Sequence, residues 1–181
     1  MILLAGFGPF EDVRRNPAET LVRAADGVRV CGQTLRGLVL PVSYRRAPAK
    51  TLALADLPLR AVIGVGVAMT REGISLERGA DRPRRGAPPD IDGATPPSFR
   101  GPSRVEAGFS FPEFASGLGA VFSDDAGDYV CNAWLYQVQS ALGIPVGFVH
   151  LPPCGLAPAR FLAALEKTLS TGAGAETAQD S

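Results

Sequence analysis

The sequence has one histidine, His150, and three cysteines, Cys31, Cys131 and Cys154, among its 181 residues. An odd number of cysteines without CxxC spacing argues against a disulfide framework or a zinc knuckle. Cys154 follows His150 by four positions, but Pro152 and Pro153 break any helix that would align the two on one metal. Charge of one sign is missing too. The 18 basic and 18 acidic residues sum to zero, so no field steers the chain to nucleic acid or an anionic membrane. The basic stretch Arg82-Pro83-Arg84-Arg85 is short and reads as a solvated loop. Long apolar runs are absent. The opening Met1-Ile2-Leu3-Leu4-Ala5-Gly6 lacks a basic lead and is too short for a signal peptide or a membrane span. A cytoplasmic chain with reduced thiols is expected. Any acid/base chemistry that needs an imidazole falls to His150 alone.

What is there describes an ordinary globular domain: 46% hydrophobic and 20% charged residues. The length suits one domain, read as residues 1–170, followed by a polar tail at 171–181 expected to be flexible. Apolar runs at 2–5, 61–65, 120–123 and 146–151 read as buried, parallel strands. A helix is expected from Pro17, with Asn16 as N-cap, to Asp26 before Gly27. Others are expected near 47–55, from 129 to 142 and from 158 to 169. Segments 28–31 and 34–42 suggest a hairpin hinged at Gly32-Gln33. The predicted fold is α/β, a three-layer α/β/α sandwich around a twisted, mostly parallel sheet with a hairpin excursion. Residues 78–108, dense in Pro, Gly and Arg, read as a long surface excursion.

In a right-handed β-α-β unit the helix begins beyond the C-terminal edge of one strand, and the next strand returns to that edge. Applied to 120–123, the helix from 129 and the strand to 151, this brings Cys131 and His150 to one rim. The loops after the first and second strands, Gly6-Phe7-Gly8-Pro9-Phe10 and 66–73, open on the same rim, with Glu77 following. A cysteine in the first turn of a helix has the electrostatics of a nucleophile, because orphan amides and the helix dipole stabilise a thiolate and imidazole can take its proton. Glu77 is the carboxylate placed to orient that imidazole. On position alone, Cys131 is equally a small core residue, His150 a hydrogen-bonded strand end, and Glu77 half of a surface ion pair with Arg78.

The residues resemble a known family, the pyroglutamyl peptidases, cysteine peptidases also called pyrrolidone carboxyl peptidases. The likeness is collinear through Leu3-Leu4-Ala5-Gly6-Phe7-Gly8-Pro9-Phe10, Asn16-Pro17, Leu40-Pro41-Val42 with Tyr44, and Gly64-Val65-Gly66-Val67-Ala68 through Arg71. It continues through Ile74-Ser75-Leu76-Glu77-Arg78, Tyr129-Val130-Cys131-Asn132 and Phe148-Val149-His150-Leu151-Pro152. It implies Cys131 as nucleophile, His150 as base and Glu77 as acid, with no metal and no cofactor. It implies Phe7 and Phe10 against the lactam ring, Asn16 shaping their loop and Val130 on the pocket floor. The implied substrates are pyroglutamyl peptides, cleaved through a thioester, and the implied assembly is a homodimer or homotetramer.

The chain departs from the family pattern after Arg78. Only Pro89, Asp90 and Gly93 hold register, with Arg82 where the family carries Asn and Arg85 where it carries Asp. It is also shorter than typical between Pro152 and its last helix. A scaffold that binds pyroglutamate-like rings without turning them over is therefore the alternative. A thiol sensor built on Cys131 is a third reading, weakened by the want of an obvious resolving cysteine.

Overall fold

A computed structural model of the chain describes residues 1–10 and 13–176. The order is β1 (Ile2–Phe7), α1 (Pro17–Ala25), β2 (Arg29–Val30), β3 (Gln33–Leu40), α2 (Arg46–Leu52), β4 (Ala61–Val67), β5 (Ser75–Glu77), β6 (Gly79–Asp81), β7 (Arg104–Glu106), α3 (Pro112–Leu118), β8 (Val121–Ser123), α4 (Val130–Ala141), β9 (Val146–Leu151) and α5 (Pro158–Glu176). Seven strands form one sheet in the order β2-β3-β1-β4-β9-β5-β8, and β6 pairs with β7 apart from it.

The central strands β3, β1, β4 and β9 are mutually parallel. Covered on both faces, β1 and β9 are buried at every position, as continuous apolar runs require. Alternation along each strand feeds two cores. Ile2, Leu4, Ile63 and Val149 face α1, α3 and α5. Leu3, Ala5, Val62 and Phe148 face α2 and α4, where Trp134 Nε1 donates to Thr51 Oγ1 at 2.9 Å and ties the two helices together. The three-layer sandwich is the observed architecture.

At the start of α1, Asn16 accepts from the Ala18 amide at 3.0 Å, and Pro17 occupies the first helical position, where its missing N–H costs nothing.

Several expectations need correction. The expected parallel strand at 120–123 is β8, parallel to β5; because β5 runs antiparallel to β9, β8 is also antiparallel to β9. The hairpin turns at Cys31-Gly32, one residue earlier than expected. Both have positive φ, 46° and 75°, the pairing that matches the twist of two-residue hairpins. The 78–108 excursion holds β6 and β7, and its Gly79 and Ala80 are buried, not on the surface. Helix α5 runs on to Glu176, past the expected end at 169, while positions 177–181 of the expected tail lie outside the described residues.

Candidate active site

A cavity of about 370 Å³ opens at the C-terminal ends of β1 and β4, lined among others by Phe7, Phe10, Asn16, Arg71, Cys131 and His150. A larger groove, about 810 Å³, lies at the opposite end of the strands near Ile2, Ala61 and Pro145, away from all of these residues.

His150 is the fifth residue of β9 and is buried, with its ring against Phe148 at 4.8 Å between centroids. Its Nδ1 donates to Glu77 Oε1 at 2.7 Å. That bond commits Nδ1 as the donor, leaving Nε2 as the lone-pair nitrogen of the neutral ring. The depth of Glu77 follows from strand direction. Ser75 pairs with His150 and Leu76 with Val149, so β5 starts at the rim and descends, which places Glu77 beneath the imidazole. Glu77 is 0% exposed and its Oε2 has no hydrogen-bond partner.

Cys131 stands in the first turn of α4, over β4. A Cβ at Gly66 would come within 2.8 Å of its Sγ, so only glycine there lets the sulfur sit against the strand. No side chain caps α4 at Tyr129, and the amides of its first turn are oriented for an incoming anion. Among the described residues, no hydrogen bond joins Cys131 to His150, although both line the cavity. At the Cys131 thiol the first-turn amides meet opposing effects. Burial first, then the charge of Glu77, pushes it up to about 12, against the opposing pull of its own backbone N–H and of Arg71.

The other expected positions divide. Phe7 and Phe10 line the cavity, so the first loop presents its rings there. Asn16 lines it too and donates through Nδ2 to the Gly8 carbonyl at 2.9 Å, bracing the turn between those rings. Val130 does not line the cavity; it is fully buried in the core beneath α4, and its neighbours Tyr129 and Cys131 line the wall instead.

Arg82 and Arg85 bond within their own excursion, to the Gly101 carbonyl and to Ser98 Oγ. The polar support comes from Arg71, which sequence reasoning placed in a motif without giving it a role. Its Nη1 donates to Glu77 Oε1 at 2.6 Å and its Nη2 to the Asp125 carbonyl at 2.5 Å. Asn132 clamps β6 to α4, accepting from the Asp81 amide at 2.9 Å and donating to its carbonyl at 2.8 Å. Among the described residues, no helix is long and apolar enough to cross a membrane.

The arrangement offers a thiol, an imidazole oriented by a buried carboxylate, and helix amides beside an aromatic recess, which is the equipment of acyl transfer through a covalent intermediate. Known proteins agree with it. The chain is 33% identical over 165 residues to the pyrrolidone-carboxylate peptidase of Klebsiella pneumoniae (strain 342), covering 83% of this chain and 77% of that protein. It is 33% identical over 168 residues to that of Halalkalibacterium halodurans, covering 84% and 83%. The crystal structure of pyrrolidone carboxyl peptidase from Thermus thermophilus superposes with a TM-score of 0.80 at 29% identity, over 93% of this chain and 98% of that one. The family model described as pyroglutamyl peptidase matches residues 1–97, the stretch carrying Phe7, Phe10, Asn16, Arg71 and Glu77, and the chain belongs to that family.

Proposed function

We propose that this protein removes N-terminal pyroglutamyl residues from peptides as a cysteine peptidase, with Cys131 as nucleophile, His150 as general base and acid, and Glu77 as the carboxylate that orients His150. The observation that carries the reading is the 2.7 Å bond from His150 Nδ1 to Glu77, which leaves Nε2 for the cavity that Cys131 lines.

The Cys131 proton passes to His150 Nε2 as Sγ attacks the pyroglutamyl carbonyl. The oxyanion meets the first-turn amides of α4. Collapse breaks the C–N bond, and His150 gives the proton to the departing amine, leaving a thioester on Cys131. His150 then deprotonates a water that attacks the thioester, and pyroglutamate leaves with the thiol restored. Phe7 and Phe10 supply apolar faces for the lactam ring. That compact ring has no free α-amine for an ammonium-gripping site to hold. Val130 supports the wall from behind.

The free thiols of Cys31, Cys131 and Cys154 suit a reducing, cytoplasmic setting. The family likeness points to a homodimer or homotetramer, a state that sedimentation velocity reads directly.

The test is release of a chromophore from a pyroglutamyl anilide. Cys131→Ala is expected to lower kcat by about 10⁴-fold or more. Unchanged turnover in that variant overturns the reading. Binding of pyroglutamate by the wild type without any acylation burst would favour the ring-binding scaffold instead.

A further inference from the structure

The cavity wall holds a cation with no part in the proton transfers above. Arg71 lies in the turn between β4 and β5, its side chain 27% exposed. Its two terminal nitrogens go to different places: Nη1 to Glu77 Oε1 at 2.6 Å, and Nη2 to the carbonyl of Asp125 at 2.5 Å. Glu77 Oε1 therefore accepts from Arg71 and from His150 Nδ1 at once, while Oε2 accepts from neither. Arg71 adds a second, charge-assisted donor to the oxygen that His150 holds, so swinging Oε1 away from the imidazole breaks two bonds in place of one.

Asp125 belongs to the segment 124–128, which leaves β8 and returns to the rim before α4. Asp125, Ala126, Gly127 and Asp128 line the cavity. The sheet order β1-β4-β9-β5-β8 separates the two ends of a bound substrate. Phe7 on β1 lies to one side of His150 on β9, while β5 and the segment after β8 lie to the other. On the peptidase reading, a lactam ring held against Phe7 and Phe10 would send the departing peptide toward Asp125 and its neighbours.

We propose that Arg71 is a positioning residue that ties the carboxylate orienting His150 to the wall facing the departing peptide, so that one guanidinium sets both. The proposal rests on the peptidase reading. A planar fork with separate donors can bridge these two acceptors, whereas the single nitrogen of lysine supplies the charge without the fork.

The experiment uses the full chain and the variants Arg71→Lys, Arg71→Gln and Arg71→Met, each checked for folding by its melting curve. The substrates are a pyroglutamyl anilide and a pyroglutamyl tripeptide. Arg71→Met and Arg71→Gln are expected to lower kcat on both by about 10²-fold, because the imidazole is displaced, and to raise KM for the tripeptide more than for the anilide. Arg71→Lys is expected to recover less than about a tenth of that kcat loss. A kcat within about threefold of wild type in Arg71→Gln, or full recovery in Arg71→Lys, overturns the proposal.

A second readout needs no turnover: the pH profile of iodoacetamide inactivation at Cys131. The titratable and charged groups around that sulfur are Glu77 beneath, His150, Arg71, Asp125, Asp128 and Tyr129 in the cavity wall, and Tyr44 behind. Loss of the Arg71 charge is expected to move the rising limb of the profile upward in pH, and lysine to restore it. An unmoved profile in both Arg71→Met and Arg71→Gln counts against Arg71. Absent turnover in the wild type counts instead against the peptidase reading.

Discussion

The two faces of the sheet are packed by different chemistry. Under α1, α3 and α5 the core is apolar, and Phe114 meets Phe109 and Phe161 edge to face at 5.4 and 5.5 Å between centroids. Under α2 and α4 the core admits Glu77, His150, Asp90 and Asn132 as buried residues, one of them with an unpartnered carboxylate oxygen. Burying such groups is unfavourable unless hydrogen bonds or opposite charge compensate, and here compensation is partial. The contrast teaches a division of labour: one face supplies stability, and the other holds chemistry at a stability cost that the first offsets.

That division is breakable from the apolar side. Phe114 is fully buried between two rings, so Phe114→Ala is expected to cost about 3–5 kcal/mol of unfolding free energy by chemical denaturation. Turnover per folded molecule should stay within about twofold, since no part of the cavity is touched. A folded Phe114→Ala protein with lost kcat would show that the faces are coupled after all.

From the polar side, Glu77→Gln separates charge from geometry. Both donors, Arg71 Nη1 and His150 Nδ1, converge on Oε1, so a glutamine is forced to present its carbonyl there and to place its amide nitrogen where Oε2 had no partner. The imidazole keeps its tautomer but loses the counter-charge for its protonated form, and kcat is expected to fall by about 10²-fold. The thiol moves the other way. Glu77 helps to push Cys131 up, so its neutralisation lowers the thiol, and iodoacetamide should react faster at a given pH. Turnover and alkylation falling together would contradict the charge assignment.

The parts legible in the sequence were those with strong local signals. Runs such as Leu3-Leu4-Ala5 and Phe148-Val149 marked central strands, and Asn16-Pro17 marked a helix start that the structure keeps. β5, β6, β7 and β8 have three residues each, too few to carry a period or a direction. Cys131 and His150 were thus brought together by an assumed parallel crossover that does not exist. β8 ends deep beside Glu77, and the segment 124–128 climbs back to the rim. Val130 was misplaced for a geometric reason: neighbours on a helix point about 100° apart, so a Cys131 facing the cavity turns Val130 into the core. The role of Arg71 was invisible because a six-residue spacing across a turn does not say which side chains meet.

The mildest effect bears on how the polar face rests when no substrate is bound. Burial pushes the Cys131 thiol up from its ordinary 9.0 to about 12, so between those values the folded protein is expected to hold the extra proton. Stability from this group is complete below pH 9 and is lost as pH rises, because the unfolded state releases its proton first. Urea unfolding of wild type and Cys131→Ala at pH 8 and 10 should therefore diverge by about 1 kcal/mol, the wild type losing more. Tyr44 is raised first by burial and only last by Cys131, so its contribution is nearly the same in both proteins. A preformed thiolate–imidazolium pair also holds one proton, on His150, and so gives the same fall above pH 9. It departs only below about pH 6.5, where the unfolded chain binds a second proton and the wild type gains stability relative to the variant as pH rises. The same difference measured between pH 5 and 7, flat for a protonated thiol and rising for a charge pair, thus decides whether the face bearing Cys131 stores that pair at rest or makes it only during attack.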